Sequence, residues 1–157
     1  PETRERREEF EHRKAQSLLQ AAKRHSKPSG TVGAVVLDGE GRLAAATSTG
    51  GKGWEIPGRV GDSPTIAGNY ATPYCAISAT GCGEDIISVG LACAFATRVG
   101  EGMPLPDARQ KALHELALIK GSAGFIALNA SGESIIGATS PALVWARASA
   151  AGIETFA

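Results

Sequence analysis

Two short apolar runs closed by one turn constrain this chain more than any other feature. Residues 32–37 (Val-Gly-Ala-Val-Val-Leu) are apolar and rich in β-branched side chains, which suit a pleated strand better than a helix. Asp38-Gly39-Glu40-Gly41 follows as a turn, and residues 43–48 form a second run. This spacing predicts an antiparallel hairpin. Thr31 stands at the start of its first strand, directly after Gly30.

The rest of the chain extends the pattern. Residues 2–24 predict a polar helix, with Glu8–His12 and Glu9–Arg13 at i,i+4 and a short apolar stripe of Ala15, Leu18, Leu19 and Ala22. Lys27-Pro28-Ser29-Gly30 breaks it. Residues 50–73 are rich in Gly and Pro without periodicity, a long loop of the kind that usually carries function. Residues 76–80 read as a short strand. Residues 84–99 read as one helix, with Ile86, Ile87, Gly90, Leu91, Ala94 and Phe95 at helical spacing. Glu84 and Asp85 suit the positive end of its dipole. A second helix is expected from Pro106 to Lys120, with proline in the first turn. Residues 125–129 and 134–138 predict another hairpin, and 142–156 a short element and a final strand. Two antiparallel hairpins flanking a helix pair fit half of a layered α/β sandwich, with helices on one sheet face.

Composition narrows the function. At 157 residues with 43% hydrophobic content, the chain can bury one real core. No apolar run approaches the ~18 residues of a membrane span, and the opening segment does not read as a secretory signal. Formal net charge is zero, which argues against nucleic acid or an anionic membrane as the main partner. Residues 1–30 hold 8 of the 16 basic and 5 of the 16 acidic residues. With Glu interleaved throughout, they read as a solvated linker. Cys75, Cys82 and Cys93 make an odd count without a CxxC pair, so neither a disulfide framework nor a zinc site is expected. His12, His25 and His114 have no ligand-like spacing. Idle thiols in a reducing, cytoplasmic compartment are the expectation.

Four motifs then occur in order: Gly30-Thr31-Val32-Gly33, Ala46-Thr47-Ser48-Thr49-Gly50-Gly51, Gly58-Arg59-Val60-Gly61-Asp62-Ser63-Pro64 and Ala79-Thr80-Gly81-Cys82-Gly83-Glu84. Taken singly, each has an ordinary reading: a strand start, a Ser/Thr-rich turn, a surface Arg–Asp pair of little worth, and a turn with a helix cap. Together they resemble the plant-type asparaginase family, whose members are isoaspartyl peptidases and L-asparaginases of the N-terminal-nucleophile hydrolase class. The resemblance implies a four-layer αββα sandwich, of mixed α/β (α+β) class, with this chain supplying about half. It covers Thr31 to the last residue as a β-subunit. Residues 1–30 resemble the charged tail of the α-subunit.

The resemblance also assigns roles. Thr31 is implied to become the nucleophile after its hydroxyl attacks the Gly30 carbonyl and the Gly30–Thr31 bond is cut. A threonine hydroxyl needs an adjacent base, and a chain-starting residue carries one in its α-amino group, which titrates near ~7.7–8.0. Thr49 is implied to position that hydroxyl and amine. Arg59 is implied to grip the substrate's α-carboxylate with paired hydrogen bonds, and Asp62 its α-ammonium. Thr80 and Gly81 are implied to form the oxyanion hole, with Gly83 bordering the substrate. Donors of this kind are worth roughly 2.7–4 kcal/mol each. No GxGxxG or P-loop completes the glycine pattern, so phosphate binding is discounted.

By the same resemblance, the chain needs an α-subunit from the same precursor and works as a dimer of αβ heterodimers on small aspartyl substrates. The chemistry requires no metal or organic cofactor, and any sodium-binding loop belongs to the α-subunit. The segment 65–70 (Thr-Ile-Ala-Gly-Asn-Tyr) departs from the glycine-richer, longer version of many relatives. Glycosylasparaginase shares the fold and clamp, but Gly30 and Gly50-Gly51 fit the peptidase/asparaginase branch better. A protein-cleaving threonine aspartase would have no substrate ammonium for Asp62. A non-catalytic interaction domain that has lost self-cleavage is the reading from another class.

Overall fold

The computed structural model describes residues 30–51, 58–139 and 143–156, together with Glu8 and His12. Those two residues are helical; the remainder of the helix expected over 2–24 lies outside the described residues. The chain divides into two compact units, one of residues 31–49 and 60–157, the other of residues 1–30 and 50–59. The described members of the second unit include Gly30, Gly50, Gly51, Gly58 and Arg59.

In the larger unit the expected first hairpin is present. Strand β1 (Thr31–Leu37) pairs antiparallel with β2 (Leu43–Thr49), with Thr31 opposite Thr49 and Leu37 opposite Leu43. The turn is fastened by Asp38. Its carboxylate accepts the Glu40 and Arg42 backbone N–H groups at 2.9 Å each and pairs with Arg42 Nε at 2.6 Å. The Arg42 N–H, then its guanidinium, hold the Asp38 carboxyl below the usual carboxylate range.

A four-stranded antiparallel sheet follows in the order β3 (Asn69–Ala71), β4 (Cys75–Gly81), β5 (Ala123–Asn129) and β6 (Ser134–Ala138). Helices α1 (Gly83–Val89), α2 (Leu91–Gly100) and α3 (Leu105–Leu118) stand between β4 and β5 in sequence. Strands β7 (Trp145–Ser149) and β8 (Gly152–Phe156) form a third hairpin.

Alternation along the strands separates two faces of the sheet. Cys75, Ile77 and Ala79 of β4 and Phe125 of β5 enter the buried cluster that holds Phe95, Leu105 and Leu116 of the helices. The Phe95 and Phe125 rings meet at 5.2 Å between centroids, tilted by 60°, a favourable aromatic geometry. Arg98 of α2 grips Glu115 of α3 through two bonds of 2.9 and 2.6 Å, the paired geometry that arginine offers a carboxylate.

Ala76, Ser78 and Thr80 point to the other face, where the first hairpin lies. The Ser78 hydroxyl, only 3% exposed, donates to the Ala46 carbonyl at 3.3 Å. It stands 2.6 Å from the Thr47 hydroxyl, which must then be the donor between the two. Gly33 lies against this contact, and a β-carbon there would overlap the Ser78 hydroxyl. The unit is thus mixed α+β, with a helix layer, a sheet and a hairpin stacked in that order.

Three expectations need correction. The helix expected over 84–99 is two helices, because Gly90 takes a left-handed conformation (φ 56°, ψ 41°) and its N–H closes on the Ile86 and Ile87 carbonyls. The periodicity runs across the break because Ile86, Leu91 and Phe95 all reach the same core. The loop over 50–73 contains β3, a three-residue edge strand paired Asn69 to Ser78 and Ala71 to Ala76, too short to show alternation. Residues 142–156 hold two paired strands rather than one.

The hairpin's seat on the sheet should be sensitive to one methyl group. Gly33→Ala is expected to destabilise the full-length protein by about 1–3 kcal/mol, the usual cost of overpacking. Gly39→Ala, in open space within the turn, should change stability by less than about 0.5 kcal/mol. Urea unfolding midpoints compare the two variants.

Candidate active site

Three hydroxyl-bearing residues converge where the hairpin lies on the sheet. Thr31 and Thr49 are direct register partners at the open end of the hairpin. The Thr31 hydroxyl donates to the Thr49 hydroxyl at 3.1 Å. Both side chains lie on the same hairpin face as Gly33 and Thr47, the face that meets Ser78. Thr80 projects from the same face of β4 as Ser78, two residues further on. Thr31, Gly33, Ser78 and Thr80 accordingly line one cleft of about 550 Å³, whose wall includes Leu143 and Trp145.

The turn after Thr80 is tightly determined. Gly81 has φ 138°, and a β-carbon on it would run into the Ser122 carbonyl, so a side chain is excluded both by conformation and by space. The Cys82 N–H donates to the Ser122 carbonyl at 2.7 Å, and the Ser122 N–H donates to the Asp85 carboxylate at 2.9 Å. On the opposite edge of β4, the Ala79 N–H donates to the Gly68 carbonyl at 2.7 Å. Backbone donors alternate along an antiparallel strand. The Gly81 N–H therefore points to the β3 side, away from β5.

Asp62 is buried to 9% exposure and lies against Gly83, the first residue of α1. Its carbonyl accepts both the N–H and the hydroxyl of Thr65, at 2.8 and 2.7 Å. The Asn69 side-chain amide donates to the Ser63 carbonyl at 3.1 Å. The chain around Asp62 is thus a closed hydrogen-bonded knot.

The larger unit brings Thr31 and Thr80 to one cleft, with Thr49 bonded to Thr31 and Gly81 next after Thr80, and sets Asp62 beside Gly83. Arg59 and Gly30 belong to the other unit. Both are exposed, and Arg59 lies outside regular secondary structure; its reading as a clamp stays with the sequence motif. The sequence reading quoted Thr47 within a motif and the segment 65–70 as a departure from relatives, but gave Thr47, Thr65, Gly68 and Asn69 no role, and it passed over Ser78. Gly33 inside an apolar strand was the one visible signal, since such a glycine marks close approach of another backbone or side chain.

Among the described residues, no group of three His, Cys, Asp or Glu side chains is arranged to hold a metal ion. No described helix is long and apolar enough to cross a membrane. Cys75, Cys82 and Cys93 are free thiols. Burial in the core pushes the Cys75 thiol up to about 11.

The chain matches the asparaginase family model over residues 2–157. It is 51% identical over 110 residues to an isoaspartyl peptidase/L-asparaginase of Nostoc sp., covering 70% of this chain and 35% of that protein. It is 45% identical over 125 residues to the protein of the same name from Bos taurus, covering 78% and 41%, and 41% identical over 125 residues to that from Homo sapiens, again covering 78% and 41%. The matched segment spans 35–41% of the length of these curated relatives.

The thiols give a test of the core. At pH 8 the thiolate fraction of Cys75 is small, so alkylation in the folded protein should run at least about a hundredfold slower than for a model thiol. Peptide mapping after iodoacetamide treatment should find Cys75 labelled only after unfolding.

Proposed function

This chain belongs to the asparaginase family, and on that premise we propose that it carries the β-subunit part of a self-processing threonine amidohydrolase. Its substrates are β-aspartyl (isoaspartyl) dipeptides and L-asparagine. The observation that carries the reading is the Thr31–Thr49 hydroxyl bond, with Thr31 lining the same cleft as Thr80. The names of the relatives, isoaspartyl peptidase/L-asparaginase, support the substrate class.

Activation comes first. In the uncut chain the Thr31 nitrogen is tied up in the amide with Gly30 and cannot act as a base. The Thr31 hydroxyl attacks the Gly30 carbonyl, the Gly30–Thr31 amide bond breaks as an ester forms, and water hydrolyses the ester. Thr31 then begins a chain with a free amine. That amine titrates near ~7.7–8.0, so a usable fraction is neutral at physiological pH.

Hydrolysis follows as acyl transfer. The neutral Thr31 amine takes the proton of its own hydroxyl while Oγ1 attacks the side-chain carbonyl carbon of the aspartyl unit. Thr49 accepts from that hydroxyl beforehand and orients it. The oxyanion is held by the Thr80 hydroxyl and the Gly81 N–H. Collapse expels ammonia or the peptide amine, which receives the proton from the Thr31 ammonium. Water then attacks the β-aspartyl ester, the amine again serving as base, and aspartate leaves. Asp62 pairs with the substrate ammonium and Arg59 with its carboxylate. Every proton moves between substrate, water and groups of this chain, so no cofactor enters the steps.

The partner is the α-subunit cut from the same precursor, and the αβ pair works as a dimer. Two features support the α-subunit. The relatives are about twice as long as this chain. The outer hairpin face is apolar and open, with Val32 69% and Val36 54% exposed, and among the described residues β1 and β2 pair only with each other. A two-stranded sheet with open edges is a marginal structure alone. A cytoplasmic location goes with this chemistry and with its unpaired cysteines.

Two variants of the full-length enzyme test the reading. Thr31→Ala should leave the Gly30–Thr31 bond intact and lower β-aspartyl dipeptide turnover on the order of 10³-fold or more. Gly81→Ala should lower kcat by about 10²–10³, as expected for a displaced oxyanion donor, with a smaller change in KM. Steady-state assays on a β-aspartyl dipeptide, L-asparagine and a glycosylated asparagine decide the branch. Hydrolysis of the glycosylated substrate alone would replace this reading with glycosylasparaginase. Unchanged turnover and chain length in Thr31→Ala would remove the nucleophile assignment.

A further inference from the structure

Asp62 is enclosed in a way that its own motif does not announce. A β-carbon on Gly83 would lie 2.6 Å from Asp62 Oδ1, and one on Gly68 would lie 2.7 Å from Oδ2. Gly83 thus faces one oxygen of the carboxylate, and Gly68 lies against both the other oxygen and the Asp62 backbone carbonyl, whose O and C would be 2.5 and 2.6 Å from its β-carbon. Neither has a positive φ, so backbone conformation does not demand glycine at either position. At Gly83 the closest neighbour of such a β-carbon is the Asp62 carboxylate alone, with every other atom at 3.5 Å or beyond. Position 83 is also the first residue of a helix, where alanine is intrinsically favoured over glycine. Helix formation therefore gives no reason for glycine at 83; the carboxylate does.

Gly68 is fixed just as firmly from outside. Its carbonyl accepts from the Ala79 N–H at 2.7 Å and its N–H donates to the Thr65 carbonyl at 3.1 Å. The neighbouring Ala67 carbonyl accepts from the Ala92 N–H at 2.9 Å. One wall of the enclosure is thereby tied to β4 and to α2, the other is the start of α1, and Thr65 holds the Asp62 backbone. We propose that Gly68 and Gly83 are positioning residues that form a two-sided socket for the Asp62 carboxylate, fixing the rotamer in which it receives the substrate's α-ammonium. The proposal rests on the reading of Asp62 as the ammonium partner.

A double-mutant cycle in the full-length processed enzyme tests the socket. The four proteins are the parent, Gly83→Ala, Asp62→Ala and the double variant, each assayed on a β-aspartyl dipeptide. Gly83→Ala should raise KM at least about tenfold, the scale of one weakened charge-assisted hydrogen bond, with kcat changed far less and the unfolding midpoint not lowered. In the Asp62→Ala background, Gly83→Ala should have no further effect on KM, because the group it displaces is gone. An equal KM increase in both backgrounds would mean that Gly83 contacts substrate directly, and would overturn the socket. No KM effect of Gly83→Ala, with a large one for Asp62→Ala, would overturn it also. If Asp62→Ala itself leaves KM unchanged, the ammonium reading fails instead, and the two failures are distinct. Gly68→Ala carries the test from the second wall should Gly83→Ala not fold: KM should rise likewise and again not rise further in the Asp62→Ala background, with some loss of stability because its β-carbon also meets the Asp62 backbone carbonyl.

Discussion

One polar contact between two layers sets the rest of the site: the Ser78 hydroxyl, buried in the seam, bonded to Thr47 and to the Ala46 carbonyl across a bare Gly33. A buried hydroxyl is costly unless it is paired, so this contact fixes which part of the hairpin meets which part of the sheet. Both strands of the hairpin are committed at once, β2 through Thr47 and Ala46, β1 through the close approach at Gly33. Side-chain direction alternates with every residue. The seating that puts Thr47 against Ser78 therefore also turns Thr31 and Thr49 inward, two positions along, toward Thr80. A slip of one residue would send Thr31 to the outer face. The placement of Thr31 is in this sense a consequence of a contact that has no chemical step of its own.

The second dependency runs through backbone rather than side chains. Gly81 turns the chain at the end of β4 so closely against Ser122 that no side chain fits, and Asp85 returns a hydrogen bond to the same Ser122. Asp62 is held from three directions, by Thr65 on its carbonyl and by two glycines on its carboxylate. These are rigid supports drawn from strand ends and helix starts. Such preorganisation is what electrostatic catalysis needs, because donors that are already aimed cost no reorganisation during reaction. Arg59, which the motif alone assigns to the substrate's carboxylate, belongs to the other unit of the chain.

Much of this was legible in the sequence. The β-branched run 32–37 with its Asp-Gly-Glu-Gly turn gave the first hairpin almost to the residue, and the second hairpin, around residues 130–133, was equally plain. The motif order singled out Thr31, Thr49, Thr80, Gly81 and Asp62, and the structure sets Thr31 and Thr80 in one cleft with Thr49 bonded to Thr31. Less was visible where tertiary contact overrides local pattern. Gly90 breaks a helix whose apolar period continues across it. Residues 69–71 are a strand only because β4 offers them an edge. Ser78 looked like one polar residue in a short strand, and nothing in its neighbours announces Thr47, thirty-one positions away. Gly83 entered through its motif and Gly68 through a segment that departs from relatives, but nothing in the sequence announces that Asp62 packs against both.

The central claim is that Thr31, turned into the cleft by the hairpin's seating, is the nucleophile. Mass spectrometry of the full-length protein, quenched with acid during turnover of a β-aspartyl dipeptide, tests it most directly. The account predicts a mature chain beginning at Thr31, with a β-aspartyl adduct that maps to that residue. Turnover with the Gly30–Thr31 bond still intact, or an adduct on any other residue, would contradict it.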